Sequence, residues 1–297
     1  MKIPKLVCFD VGARNGLKDL RSLSSAISLF SFEPNLQSND PLNIGSGKGY
    51  ADYHLIAKGL YSSSGIFDFY MMANPSMSSM YKPDEKILDE YFNSISEFKE
   101  WRKQLKIVGE TKIETVTIDK LVKECAINFI DYLKLDTQGT ELEILKGAEN
   151  SLNEKKIGVI KTEFAFISLY QNQPTFTKID QYLNELGYKL ITCEFNYDQS
   201  YFFAKGGEKP KWGIGGDAYY CLDPERMDET EKIFSMGLVL GALGFISNSA
   251  HLFTNLKISE EEQKQFFKNS QTRDIKHAIK FVTPPVLINL YKRLFRR

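Results

Sequence analysis

Along the first two-thirds of the chain, short runs of apolar residues alternate with amphipathic stretches of helical period, the pattern of strands and helices in turn. The runs predict strands at residues 5–10, 28–33, 52–57, 66–71, 114–117, 130–136, 157–164, 189–195 and near 217–222. Several are apolar at consecutive rather than alternate positions, as expected of strands covered on both faces. After Gly139, Leu142, Leu145, Ala148 and Leu152 make a helical stripe, with Thr140 and Glu143 at capping-box spacing. Past Pro174, Ile179, Tyr182, Leu183 and Leu186 make a second stripe, ended by Gly187. Residues 83–107 are charged with helical spacing and read as an insertion between two strands. From about residue 225 the strand pattern stops. The organisation predicted is an α/β domain over 1–224 and a helical C-terminal extension over 225–297.

Composition narrows the partners. Lys and Arg number 38 and Asp and Glu 38, so no basic excess points to a nucleic acid. The four cysteines (Cys8, Cys125, Cys193, Cys221) are scattered without a C-x-x-C pair, which argues against zinc or a disulfide framework. They read as free thiols in a reducing cytosol. The start shows no secretory-signal pattern, and the apolar stretch 236–246 is far short of the ~20 residues of a membrane span. The expected location is cytoplasmic.

Three strand ends carry the candidate chemistry. The run Val7-Cys8-Phe9-Asp10 leads into Val11-Gly12-Ala13-Arg14-Asn15-Gly16, where two glycines frame a turn expected to open a helix and to let a ligand approach the backbone. It is neither a G-x-G-x-x-G fingerprint nor a phosphate loop, and Asp10 suits a cationic ligand better than a pyrophosphate. The next strand ends in Glu33-Pro34-Asn35, about 20 residues on, where an acid grips ribose hydroxyls. A third strand ends at Asp136, ahead of Thr137-Gln138-Gly139. In an open α/β sheet these ends converge on one crevice.

Together these stretches resemble the FkbM family of methyltransferases. The matching residues are Asp10 to Gly16, Phe32-Glu33-Pro34, Leu133-Lys134-Leu135-Asp136 through Gly147-Ala148, then Lys161-Thr162-Glu163-Phe164 and Tyr170-Gln171-Asn172-Gln173. The likeness covers about residues 7–222. It departs at Arg14, where the family often has asparagine, and at Gln138, where it usually has glutamate. The resemblance implies a doubly wound, mostly parallel, seven-stranded class I methyltransferase (Rossmann-like) sheet. It implies S-adenosyl-L-methionine as donor and a hydroxyl acceptor on a sugar or glycoconjugate, as in surface polysaccharide biosynthesis. Carried over by resemblance, the donor site comprises Asp10, Gly12, Asn15, Gly16, Glu33 and Asp136.

Methyl transfer to a hydroxyl needs positioning and a base. The candidates are Glu163, Asp136 and His54; no metal is assigned, although Asp136 and Glu163 have the oxygen chemistry for magnesium. The polar segment Asn74 to Tyr81 reads either as a pocket wall or as a loop, and Trp212 among glycines either as a sugar-stacking residue or as packing. The ending Pro284 to Arg297 is an amphipathic basic helix, suited to a peripheral contact with an anionic membrane or to packing on the domain or a second subunit. Two rival functions stand beside methyl transfer: an NAD-dependent oxidoreductase, and an inactive binding module on the same fold.

Overall fold

The continuous apolar runs are strands buried on both faces. The computed structural model describes residues 5–13, 16–35, 49–92, 102–195, 215–254 and 256. Ten strands occur among them: β1 (Leu6–Val11), β2 (Ile27–Phe32), β3 (Asp52–Ile56), β4 (Gly59–Leu60), β5 (Gly65–Met72), β6 (Ile107–Val116), β7 (Ile130–Leu135), β8 (Ile157–Ala165), β9 (Tyr188–Phe195) and β10 (Gly215–Leu222). Seven make one sheet in the order β3-β2-β1-β7-β8-β10-β9. It is parallel from β3 through β8, and β10 runs antiparallel to both of its neighbours. This mostly parallel α/β sheet is compatible with the methyltransferase fold implied by the resemblance. Every residue of β2 and of β7 is buried. Side chains such as Leu133 and Ile160, with no exposed surface, each contribute on the order of 2 kcal/mol by leaving water.

Chain order reverses between β1 and β7: β2 and β3 build outward on one side, β7 and β8 on the other. Such a switch point leaves a crevice beyond the carboxyl ends of the strands. A separate three-stranded sheet, β4-β6-β5, contributes residues to the wall of that crevice. The helix Thr230–Ala242 packs on β7 and β8, where Met236 occupies the room that a side chain at Gly158 would need. It is followed by Ile246–Thr254. Among the described residues no helix is long and apolar enough to cross a membrane.

Three local expectations change. The segment after Gly16 forms a short 3-10 helix at Arg21–Ala26 rather than an α-helix; its serines at 22, 24 and 25 compete for backbone hydrogen bonds and weaken helix. Residues 107–116 form one strand, longer than the 114–117 expected, because its charged residues lie on an exposed face. The helix Glu141–Lys146 is not closed by a Thr140–Glu143 box: Thr140 makes no cap bond, and Glu143 pairs with Lys146.

Candidate functional site

Three backbone bonds tie the carboxyl ends of four strands into one rim. Asp136 N donates to Val11 O (3.1 Å), Gly12 N to Phe32 O (3.2 Å) and Glu33 N to Ile56 O (3.2 Å). Above this rim lies a cleft. Its wall includes Gly12, Glu33, Asn35, Asp136 and Gln138 from the main sheet, with Leu60, Phe69 and Ile113 from the small one. Ser76, Ser78 and Met80 close a further side, so the Asn74–Tyr81 stretch is a pocket wall. Gly12 has φ +77°, and a Cβ there would stand 1.9 Å from Asp136 O. Only glycine lets the two strand ends approach this closely.

The turn after β7 is built around Glu141. Its buried carboxylate accepts from Thr137 N (2.8 Å), Thr137 Oγ1 (3.0 Å) and Gly139 N (3.0 Å to Oε2). Burial nevertheless raises its pKa, against the pull of these donors. Gly139, at φ +111°, packs on Gln173, whose Oε1 accepts from Leu169 N (2.7 Å) and Tyr170 N (3.2 Å). That turn sets Tyr170 over Gln138, which accepts from the phenol at 3.2 Å. The Gln138 amide in turn donates to Glu163 (2.8 Å) and, more weakly, to Asp136 (3.4 Å).

The expected site residues separate into groups. Gly12, Glu33 and Asp136 line the cleft together. Glu33 is buried and accepts from Asn35 N at 2.9 Å. Asp10 is not at the cleft surface: it is the fifth residue of β1, fully buried beneath the rim, opposite Lys134 of β7. Lys134 bonds Asp10 at 3.0 Å and lies 3.4 Å from Asp136, so Asp10 acts on the rim through a lysine. Desolvation is the largest effect on Asp10, and with Asp136 and Asp19 it raises the pKa in spite of Lys134; among the described residues Oδ2 of Asp10 has no hydrogen-bond partner. Gly16 turns the chain at φ +67° without reaching the cleft wall, and Asn15 lies outside the described residues. Glu163 stands behind Gln138; burial, then Asp136, Glu141 and Asp217, push its pKa well up. His54 is not brought to the site. It is exposed on the edge strand β3, its ring stacked on Phe30 at 4.4 Å. Trp212 and residues 284–297 lie outside the described residues.

Sequence reasoning did not single out Asp19, Lys161 and Asp217. Lys161 lies 3.3 Å from both acids, and Tyr132 donates to Asp19 at 3.1 Å. The available signal was a lysine inside each of two apolar strands, since a lysine is seldom buried without a carboxylate beside it. Among the described residues no group of three or more His, Cys, Asp or Glu side chains is arranged to hold a metal ion.

A mostly parallel sheet with a glycine turn and two carboxylates at its switch point defines an α/β protein with a cleft at the strand ends where ligands of such sheets bind. The methyltransferase FkbM domain matches residues 10–190, and the chain belongs to that methyltransferase family. It is 27% identical over 155 residues to the hexuronic acid methyltransferase AglP of Haloferax volcanii, a match covering 52% of this chain and 55% of that protein. The chain thus spans about half the length of this curated relative. No solved structure matches the chain.

The residues present fit a cationic nucleoside donor. Glu33 and Asp136 put two carboxylates on the cleft, and the only cationic side chain among the described lining residues, Lys58, is ion-paired with Glu114. A pyrophosphate would meet net repulsion here, whereas a ligand carrying a sulfonium and an ammonium would meet complementary charge.

Proposed function

We propose that the protein is an S-adenosyl-L-methionine-dependent O-methyltransferase acting on a sugar hydroxyl, within a glycan or glycoconjugate. The observation that carries this reading is the joining of Gly12, Glu33 and Asp136 in one cleft at the switch point of the sheet. Family membership supports methyl transfer, and the relative's hexuronic acid substrate supports a sugar acceptor.

When bound, the donor supplies a methyl group on a positively charged sulfur. Glu33 would accept from the ribose hydroxyls, as an acid at the end of the second strand is placed to do. Asp136 would hold the cationic end, and Gly12 would let the backbone approach the donor. Holding the acceptor oxygen in line with that methyl would be most of the catalysis. The hydroxyl proton passes to the Asp136–Glu163 pair, entering at Asp136, which lines the cleft, with Glu163 behind it against the Gln138 amide. Because Glu163 holds its proton above the ordinary carboxylate range, activity should rise with pH through its ionisation.

The test is transfer of radiolabelled methyl from S-adenosyl-L-methionine to neutral and uronic acid oligosaccharides, followed against pH. Label in a sugar, a rising acid limb in the wild type and loss of that limb in Glu163→Gln are expected. Full turnover with an unchanged profile in the variant would remove Glu163 from the mechanism, and absence of transfer to any sugar would remove the acceptor class.

A further inference from the structure

Gln138 sits where an amide is harder to replace than its surface position suggests. It adopts φ +59°, a left-handed conformation unusual for a residue with a side chain. The strain is held from outside: Ser79, itself buried, donates its hydroxyl to Gln138 O at 2.8 Å. The side chain is held as firmly. Tyr170 Oη lies 3.2 Å from Gln138 Oε1 and 2.9 Å from Met77 O, so its single proton is shared between the amide and the wall beneath the cleft. This leaves both N–H groups of Nε2 turned to carboxylates, Glu163 at 2.8 Å and Asp136 at 3.4 Å.

The charge balance explains why a neutral donor matters. Glu163 is faced by Asp136 beyond β7, Glu141 on its helix and Asp217 across the β8–β10 ladder. The phenol of Tyr170 also lies within its field. Lys134 is committed to Asp10 and Asp136, and Lys161 to Asp19 and Asp217. Among the described residues no lysine pairs with Glu163, and the Gln138 amide is the group that donates to it. A carboxylate at 138 has the same shape and no N–H, and it would place a third negative charge between two others.

We propose that Gln138 is a positioning residue for the transfer: its amide, pinned by Ser79 and Tyr170, ties Asp136 and Glu163 into one unit at the cleft rim and keeps Glu163 ionisable in a strongly acidic setting. The functional part of this inference rests on the methyltransferase reading, while the amide bridge itself does not. The experiment is therefore a titration that needs no acceptor. Glutamate carrying ¹³C at the side-chain carboxyl is incorporated into the full chain, and the Glu163 signal is assigned by its disappearance in Glu163→Gln.

In Gln138→Leu the Glu163 midpoint is expected to rise by about one pH unit or more, the size of losing a hydrogen bond to a charged acceptor. Tyr170→Phe, which frees the amide without deleting it, gives a smaller rise. Gln138→Glu keeps the shape if the leucine variant does not fold, and it is expected to raise the midpoint further. An unchanged midpoint in either Gln138 variant would overturn the proposal. Calorimetric titration with S-adenosylhomocysteine on the same samples separates the two claims. Binding by the wild type together with a shifted midpoint in the Gln138 variants is the expected result. A wild type that binds nothing defeats the donor reading and leaves the amide bridge to be judged on its titration alone.

Discussion

In the seven-stranded sheet Lys134 stands opposite Asp10 on the next strand, and in the three-stranded sheet Lys112 stands opposite Asp68 in the same way. The exposed pair is the shorter, 2.7 Å against 3.0 Å. Yet the Lys112 ammonium holds Asp68 below its ordinary pKa, while Asp10 is raised in spite of Lys134. Exposure accounts for the reversal: the side chains of Lys112 and Asp68 are 68% and 59% exposed, those of Lys134 and Asp10 9% and 0%. Water screens and replaces the surface contact, so its length says little about its worth. Beneath the rim, desolvation is the larger effect, and the lysine chiefly prevents an isolated buried charge. The buried pair belongs to the site, because the same lysine reaches Asp136.

Removing one member of the buried pair should have the largest effect. Lys134→Met strands the Asp10 carboxylate, and urea unfolding at neutral pH is expected to show a loss of about 3–5 kcal/mol. The loss should shrink at acid pH, where Asp10 takes up a proton. Adding Asp10→Asn should recover most of it, and no recovery would mean that the lysine holds the rim by packing alone.

Asp131 sharpens the comparison as a buried carboxyl with no cation beside it. It accepts from Val7 N at 2.6 Å and from Ser235, and burial lifts it to about 6. The folded state therefore favours the neutral acid, while the unfolded chain loses that proton near pH ~3.9. Stability from this group is complete below about pH 4 and is lost as pH rises through about 6, by at most roughly 3 kcal/mol. Asp131→Asn, isosteric and uncharged, should gain on the wild type over that window in parallel unfolding curves. A constant difference across pH would contradict the assignment. At the small end, Lys112→Ala should leave the unfolding midpoint unmoved within error.

The strands and the rim were legible because their signals are local. Continuous apolar runs report burial on both faces, and a glycine between carboxylate-tipped strands marks a close approach. What was not legible depended on pairing at a distance. Asp10 reads as a strand tip, and only its register against Lys134 reveals that it lies one layer down. Residues 107–113 lie before the strand expected at 114–117 and join it through antiparallel pairing with β5. His54 was plausible as a base by residue type, and its place on the edge strand against Phe30 decided otherwise. The Thr140–Glu143 spacing matched a capping box, yet Glu141 holds the turn, since its carboxylate reaches the Thr137 and Gly139 amides directly. The Tyr170–Gln173 spacing was readable only as a likeness until the turn placed Tyr170 on Gln138.

The central claim is that the cleft above Gly12, Glu33 and Asp136 takes a cationic nucleoside donor. Calorimetric titration with S-adenosylhomocysteine and, separately, with NADH tests it most directly. Micromolar binding of the first is expected, at least about tenfold weaker in Glu33→Ala for the loss of a hydrogen-bonded charge and abolished in Gly12→Ala, with none of the second. Binding of NADH alone, or of neither by a folded wild type, would contradict it.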